Sequence, residues 1–302
     1  MQELQNQEIT PKKEFPIYVK AFIVLVKLIG FTTAFFIAAG LFSYLMTLLI
    51  PNFNPESMMT GDLTDWKSTT IIQFGTLIGA FLVTYVFRVG IDSISFATVG
   101  LQIQNVLGNL FKGGMYAIGI LGVSFAILCL IGVIEIETFQ MEPIGLCGYL
   151  LLFLIAALIE ELIFRGYMIP LIAKDFHFMS AILISSLAFA VVHMANAHFT
   201  WLSFANIFLG GYLLGLIFYK KQELYTPLGL HWIWNYFQGN ILGFGVSGFQ
   251  VESVLTINQT GSDWLTGGDF GLEGSVVTVI LLLIVSVYLT YKWYEGLTLP
   301  QA

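Results

Sequence analysis

The amino-acid sequence predicts an all-α fold, a polytopic bundle of about eight transmembrane helices. The first observation is composition: of 302 residues, 57% are hydrophobic and only 10% are charged, whereas soluble domains carry about 25% charged residues. So few charges cannot cover a surface in water, and lipid is the solvent that suits this chain. The other two observations are a series of long apolar segments and the sidedness of the charges between them.

Eight segments are apolar over roughly the 20 residues that a helix needs to cross a bilayer core of about 30 Å. The first follows a polar tail, residues 1–20, and is too long for the hydrophobic part of a secretory signal. The fifth and sixth are short and closely spaced, so the count is seven or eight. The predicted spans are residues 21–50, 70–88, 114–134, 143–165, 178–195, 202–219, 226–243 and 275–293.

Basic residues fall mainly on one side of the predicted spans. With the N-terminus in the cytoplasm, the outer stretches contain the single basic residue Lys67 and most of the acidic residues. This positive-inside pattern predicts a protein of the plasma (inner) membrane whose termini, residues 1–20 and 294–302, are both cytoplasmic. The cytoplasmic stretches contain Lys12, Lys13, Lys20, Arg88, Lys112, Lys174, Lys220, Lys221 and Lys292.

Two segments between the spans have a character of their own. Asp92–Leu110 alternates polar and apolar residues below the hydrophobicity of a span, which predicts an interfacial amphipathic helix. Gly243–Gly274 is rich in Gly, Ser, Thr and Asn, which predicts a long outer loop. Lys27 lies within the first span, and we expect its side chain to extend toward the cytoplasmic face.

The first candidate functional cluster is Glu160, Glu161 and Arg165, which follow an apolar run. Charged residues within spans cost roughly 2.5–3.5 kcal/mol each on insertion scales and therefore indicate function. Glu161 and Arg165 are four residues apart and can pair on one helix face. Glu160 points elsewhere and could accept a proton in an apolar site. The alternative is a helix that ends here, with its charges solvated at the cytoplasmic face.

Histidines mark the second and third clusters. His193 follows Phe189 by four residues inside an apolar run, and it could bind a metal, orient water or hydrogen-bond between helices as a structural residue. His231 and Asn235 share one helix face, and the Asn amide could donate to an oxyanion. The alternative for this third cluster is an interfacial aromatic belt, since tryptophans flank His231.

Together the clusters supply a carboxylate, two imidazoles and an amide from three spans, the groups that activate water for attack on a carbonyl. Their depths differ in the simplest topology. His193 lies about 22 Å from the cytoplasmic end of its span and His231 about 8 Å from its own, while Glu160 falls near the cytoplasmic face. Helix tilt, a longer fourth helix running toward Pro170, or a displaced fifth helix would remove the difference.

The order and spacing of these residues resemble the CAAX prenyl protease type II family, also called the Abi or CPBP family of intramembrane proteases. The resemblance covers roughly residues 145–285, including the Gly-Gly-Asp-Phe-Gly-Leu-Glu-Gly stretch before the last span. Earlier residues are only generically similar. The family's three motifs match Glu160, Glu161 and Arg165, then Phe189 and His193, then His231 and Asn235.

This resemblance implies a conical helical bundle whose catalytic core, residues 143–293, follows N-terminal helices at 21–142. Within the core, Glu160 would activate water for attack on a peptide carbonyl, and His193 and His231 would position the water or bind a metal. Asn235 would stabilise the oxyanion. The family also implies that Glu161 and Arg165 hold the site in shape.

The cofactor and the partners follow from the same residues. Glu160, His193 and His231 could hold a divalent metal such as zinc, as in His₂Glu sites. The absence of an HExxH motif and the three separate helices favour a metal-free mechanism. The expected partners are membrane lipids and a membrane-associated peptide or protein substrate, and the acidic net charge of −7 gives no sign of nucleic-acid binding.

Two other functions stay open. A non-catalytic scaffold or bacteriocin-immunity protein could use the same fold. A transporter could use intramembrane charges as an ion path, but the repeated halves and broken helices typical of transporters are not recognisable in the sequence. We therefore expect an intramembrane endopeptidase, by a glutamic or a metal-dependent mechanism.

Overall fold

The computed structural model describes residues 15–51, 53 and 65–298 of the chain. Most of the predicted N-terminal tail, part of the first outer stretch and the last residues of the C-terminal tail lie outside these described residues. The described chain is almost entirely helical, which confirms the predicted fold class. Seven of its helices are long and apolar enough to cross a membrane, and the protein is an integral membrane protein.

The helices follow the predicted spans closely at most boundaries. In chain order they are α1 Ile17–Thr47, α2 Trp66–Tyr85, α3 Val106–Leu130, α4 Pro143–Glu161, α5 Ile169–Ala173, α6 Phe178–Val192, α7 Trp201–Lys221, α8 Tyr225–Tyr236, α9 Asp263–Thr266 and α10 Val276–Thr298.

Three helices continue through π-helical segments, which are often found at functional sites. The π-helix Val86–Ile91 extends α2, and Phe237–Ile241 extends α8. The third, Leu162–Met168, joins α4 to α5, so that Pro143–Ala173 forms one span of 31 residues. The fourth span is therefore longer than the predicted 143–165.

Arg88 explains how the fourth span passes its proline. Pro170 has no N–H to donate to the carbonyl of Gly166, four residues earlier, and would normally end the helix. Arg88 Nη1 donates to this carbonyl at 2.6 Å instead, and its Nη2 donates to Thr98 Oγ1 at 2.7 Å. Arg88 is 2% exposed. A buried side chain from the second span thus replaces the missing backbone donor.

The predicted span at 226–243 is α8 with its π-helical extension, and it is shorter than the seven spans above. It nevertheless runs from one side of the bundle to the other. Leu224 N–H donates to Gly100 O at 2.7 Å, beside the start of α3. Beyond α8, the strand β2 (Leu255–Gln259) pairs antiparallel with β1 (Ile134–Phe139), which follows the end of α3. A helix buried inside the bundle can be short because it does not have to match the full thickness of the lipid.

Helix packing is closest between α3 and α8. A Cβ on Gly113 would overlap the carbonyl oxygen of Thr226, and one on Gly229 would overlap that of Leu110. Glycine lets the two backbones touch at these positions. The other main helix pairs are α1 with α2, α2 with α4, α4 with α8, α6 with α7, and α7 with α10.

Two predictions about the connecting segments are wrong or incomplete. The segment Asp92–Leu110 does not form an interfacial helix before α3 begins at Val106; it contains only the short 3-10 helix Phe96–Thr98. Its polar groups have partners elsewhere, since Asp92 forms an ion pair with Lys27. The predicted outer loop at 243–274 contains β2, α9 and two 3-10 turns, Gly268–Phe270 and Leu272–Gly274.

Candidate active site

A cavity of about 340 Å³ lies in the second half of the bundle. Its walls come from α2, α4, α7, α8, the C-terminal end of α6 and the segment before α10. The four predicted catalytic residues all line it, so the three sequence clusters meet at one place. These residues are Glu160, His193, His231 and Asn235.

Glu160 lies between the two imidazoles. Its Oε2 atom is 3.6 Å from His231 Nε2 and 3.8 Å from His193 Nε2. These distances exceed those of direct hydrogen bonds. The Glu160 side chain is 32% exposed, whereas those of His193 and His231 are 12% and 10% exposed. The carboxylate therefore faces the cavity with a ring nitrogen on each side.

Glu161 points away from Glu160, as adjacent residues on a helix do. Its Oε1 atom accepts from Arg165 Nη1 at 2.9 Å, which is the predicted i,i+4 pair. The same oxygen is 2.9 Å from His231 Nδ1. A carboxylate only accepts, so His231 carries a proton on Nδ1. Both Glu161 and Arg165 are fully buried.

Arg165 joins three helices around this pair. It lies in the π-helix between α4 and α5, and its Nη2 donates to the carbonyl of Gly211 on α7 at 3.1 Å. Its guanidinium lies 4.7 Å from the ring centroid of Phe189 on α6. Gly211 and Gly215 on α7 lie against α6, and their four-residue spacing of small residues lets the two helices pack closely. Residues of α6 and α7 therefore pack around the ion pair of Glu161 and Arg165.

Phe189 and His193 form the second motif as one unit. His193 Nδ1 donates to the carbonyl of Phe189 at 2.7 Å, because a carbonyl can only accept. The Phe189 ring is 4.5 Å from the His193 ring and meets the His231 ring edge-on at 5.9 Å. Phe189 thus fixes the His193 ring through its carbonyl and packs against the His231 ring. Nε2 of His193 is left facing Glu160.

The difference in depth is removed largely by the longer fourth span. Glu160 lies about 20 Å from the end of that span at Ala173, at 1.5 Å per residue. His193 lies about 22 Å from the start of α6 at Phe178. Since Leu224, the residue before α8, is itself buried, His231 also lies deeper than its position in the helix indicates.

The structure adds polar residues that the sequence argument did not select. Glu273, Ser247, Asn206 and Asn196 also line the cavity. Glu273 Oε2 accepts from the backbone N–H of Ser247 at 2.8 Å and from its hydroxyl at 2.6 Å. The signal for Glu273 is its place in the Gly-Gly-Asp-Phe-Gly-Leu-Glu-Gly stretch, which contributes to the family resemblance but lies in the predicted outer loop.

Asn206 differs from these in lacking a partner. Asn206 is only 1% exposed, and its Nδ2 makes no hydrogen bond to any residue that the structure describes. It belongs to α7, near the N-terminal end of that helix. A buried amide donor beside the cavity is a candidate group for binding a carbonyl oxygen.

The site residues do not fit a metal ion in this arrangement. Zinc holds nitrogen and oxygen ligands at about 2.0–2.2 Å, and the described residues contain no group of three or more His, Cys, Asp or Glu side chains that could bind a metal. Glu160, His193 and His231 are among these described residues.

Comparison with known proteins gives one family match. Residues 142–237 match the family described as Type II CAAX prenyl endopeptidase Rce1-like, and all six predicted site residues fall inside this range. Comparison with curated proteins finds no match. This match covers about a third of the chain and, with the motifs in the order and spacing described above, supports the resemblance to the type II CAAX prenyl endopeptidases.

Proposed function

We propose that the protein is an intramembrane endopeptidase that hydrolyses a peptide bond of a membrane-associated peptide or protein, using water activated by Glu160. The observation that carries this proposal is the position of the Glu160 carboxylate, 3.6 Å and 3.8 Å from the Nε2 atoms of His231 and His193, in one cavity. The family is one of proteases, which supports peptide hydrolysis as the reaction.

The first step is the activation of water. Glu160 and both imidazoles line one cavity, so a water molecule bound in that cavity can contact all three side chains. Glu160 accepts a proton from this water as its oxygen attacks the peptide carbonyl carbon. His193 has its Nδ1 proton on the Phe189 carbonyl, so in the neutral ring Nε2 accepts the water's other proton in a hydrogen bond.

The second step is the stabilisation of the tetrahedral oxyanion. Asn235 lies one helical turn after His231 and lines the same cavity, so its side-chain N–H can donate to the developing charge. Glu161 keeps the His231 proton on Nδ1 and fixes the plane of the ring. Arg165 balances the charge of Glu161 at a fully buried site. These two residues position His231 and do not touch the substrate.

The surroundings of the site follow from the same proposal. The enzyme would lie in the plasma (inner) membrane with both termini in the cytoplasm. Residues 143–293 would form the catalytic core and residues 21–142 the N-terminal helices. A scaffold or immunity protein without catalysis would have no need for Glu160 to face a cavity beside two imidazoles.

The Glu160→Gln variant tests the proposal, because the amide keeps the shape and cannot take a proton. We expect membrane peptides to accumulate as uncleaved precursors in cells that carry this variant in place of the wild type, as measured by quantitative proteomics of membrane fractions. Glu142→Gln is the matched control, since Glu142 is exposed at the other end of the same span. The proposal fails if no precursor accumulates while the variant is present at the wild-type level.

A further inference from the structure

Glu273 is a second carboxyl group at the catalytic cavity, and it comes from outside the helices that carry the three motifs. It lies in the 3-10 turn Leu272–Gly274, directly before α10. The residue is 8% exposed, and it lines the cavity together with Glu160, His193 and His231. A buried carboxyl group in a cleft that faces other ionisable groups is a candidate for acid–base chemistry.

One oxygen of this carboxyl group is held and the other is available. Oε2 accepts both the backbone N–H and the hydroxyl of Ser247. Oε1 has no hydrogen-bond partner among the described residues. Because the residue lines the cavity, Oε1 is the atom that a bound substrate can reach. The two hydrogen bonds thus fix the group while leaving one oxygen for chemistry.

The backbone around Glu273 is built to hold it in this place. Gly271 has φ of +88°, and a Cβ there would overlap the carbonyl oxygen of Gly245. Ser247 itself has φ of +49°, a conformation that is uncommon for a residue other than glycine. The Ser247 carbonyl accepts from Asn196 Nδ2 at 3.1 Å, three residues after His193. Glu273 is therefore connected to the end of the helix that carries His193.

We propose that Glu273 is a second catalytic residue, a general acid that donates a proton to the amine that leaves. This inference rests on the proposed peptidase function and deepens it. Glu160 takes one proton from water as the C–O bond forms. When the C–N bond breaks, the nitrogen takes the proton of the Glu273 carboxylic acid. A proton then passes from Glu160 to Glu273 through water, which restores both groups and leaves one carboxylic acid and one amine as products.

The environment of Glu273 favours its protonated form. Burial raises the pKa of the Glu273 carboxyl above its ordinary value. The hydrogen bonds from Ser247 and the nearness of His193 and His231 oppose this rise, and burial is the largest effect. These two histidines are the titratable groups that influence Glu273 in the described part of the chain. The acid form is lost as pH rises through the raised pKa, so cleavage should decline on the alkaline side.

The Glu273→Gln variant separates a proton donor from a structural group. Its amide oxygen can still accept from Ser247, so we expect the unfolding temperature to stay near that of the wild type. The cleavage rate should fall by about 100-fold, the lower range for general acid–base catalysis. The residual rate should no longer decline at alkaline pH. Glu273→Asp keeps an ionisable proton and should recover part of the rate together with the alkaline decline.

The assay uses membranes from cells that carry only the Glu160→Gln protein as the substrate pool. Purified wild-type, Glu273→Gln, Glu273→Asp and Ser247→Ala proteins are added in detergent between pH 5 and 10, and new peptide termini are counted by mass spectrometry. Ser247→Ala removes only the hydroxyl contact, which lowers the pKa of Glu273, so its alkaline decline should move to higher pH than that of the wild type.

Each outcome separates the two proposals. If wild-type protein creates no new termini, the peptidase proposal fails and this one fails with it. If the wild type cleaves and Glu273→Gln stays within about twofold of its rate, Glu273 is not the acid and the peptidase proposal stands. If Glu273→Gln does not fold, Glu273→Asp is compared with Glu273→Ala, and an equal rate and pH profile of these two variants contradicts the role.

Discussion

At the scale of single residues, Glu161 holds two other site residues in place. Its Oε1 atom is the acceptor for both Arg165 and His231, and all three residues are buried. Removing one partner of a buried ion pair leaves an uncompensated charge, which is usually more destabilising than the pair is stabilising. The carboxylate therefore matters for the fold as well as for the orientation of His231.

We expect Glu161→Ala to lower the free energy of unfolding by about 3–5 kcal/mol, the usual cost of breaking a buried pair. Thermal unfolding of the purified protein in detergent measures the effect. Glu142→Ala is the control, because this exposed residue begins the same span. An unfolding temperature equal to that of the control would mean that Arg165 and His231 find other acceptors.

Residue spacing predicts one of the two contacts of Glu161 and not the other. The distance of four between Glu161 and Arg165 predicts their ion pair correctly, since both lie on one helix face. The bond from His231 to the same oxygen joins residues 70 positions apart. Only the packing of α4 against α8 creates it, and no local pattern indicates such a contact.

At the scale of elements, the contact of α3 with α8 decides where His231 lies. Gly113 meets the α8 backbone directly, so any side chain at this position must push the two helices apart. His231 is one turn further along α8, and its contacts with Glu160 and Glu161 depend on the position of that helix. The glycine therefore acts on the site without touching it.

We expect Gly113→Ala to reduce cleavage by at least about tenfold, since a misplacement of about 1 Å can cost 100-fold. Gly119→Ala on the same helix is the matched control, because nothing lies within 4 Å of the added methyl group. That control should keep its activity and gain up to about 1 kcal/mol of stability from helix propensity. Equal activity of the two variants, counted as new peptide termini, would contradict this role of Gly113.

The strand β1 has a recognisable pattern in the sequence. Ile134–Phe139 alternates apolar and polar residues before Phe139, the period of a β-strand. Within a chain dominated by long apolar runs, this short segment falls in one of the acidic outer stretches of the predicted topology. Its partner Leu255–Gln259 is more than 100 positions away, so strand formation depends on α3 and α8 ending side by side.

At the scale of the whole molecule, α8 determines the sidedness of the chain. Seven helices of the described chain qualify as spans by length and composition, and an odd number would place the termini on opposite sides. The contacts at the two ends of α8 indicate that it also carries the chain across, beside α3. Eight crossings would place both termini on the same side.

We therefore expect both termini in the cytoplasm, in agreement with the distribution of basic residues. Fusions of a fluorescent protein that folds only in the cytoplasm, made separately at each terminus, should both fluoresce. A fusion truncated after Gly261 should not, because this residue follows β2 on the outer side. A dark C-terminal fusion with a bright N-terminal one would mean that α8 does not cross.

The sequence by itself determined that this is a helical membrane protein and which residues carry its three motifs. Hydrophobicity over about 20 residues and spacings of four are local properties, and a helix converts them directly into spans and faces. The tertiary structure alone decided that Glu160 lies between two imidazoles, that Arg88 supports the helix at Pro170, and that Glu273 enters the cavity. These contacts join distant parts of the chain, and packing between helices sets their geometry.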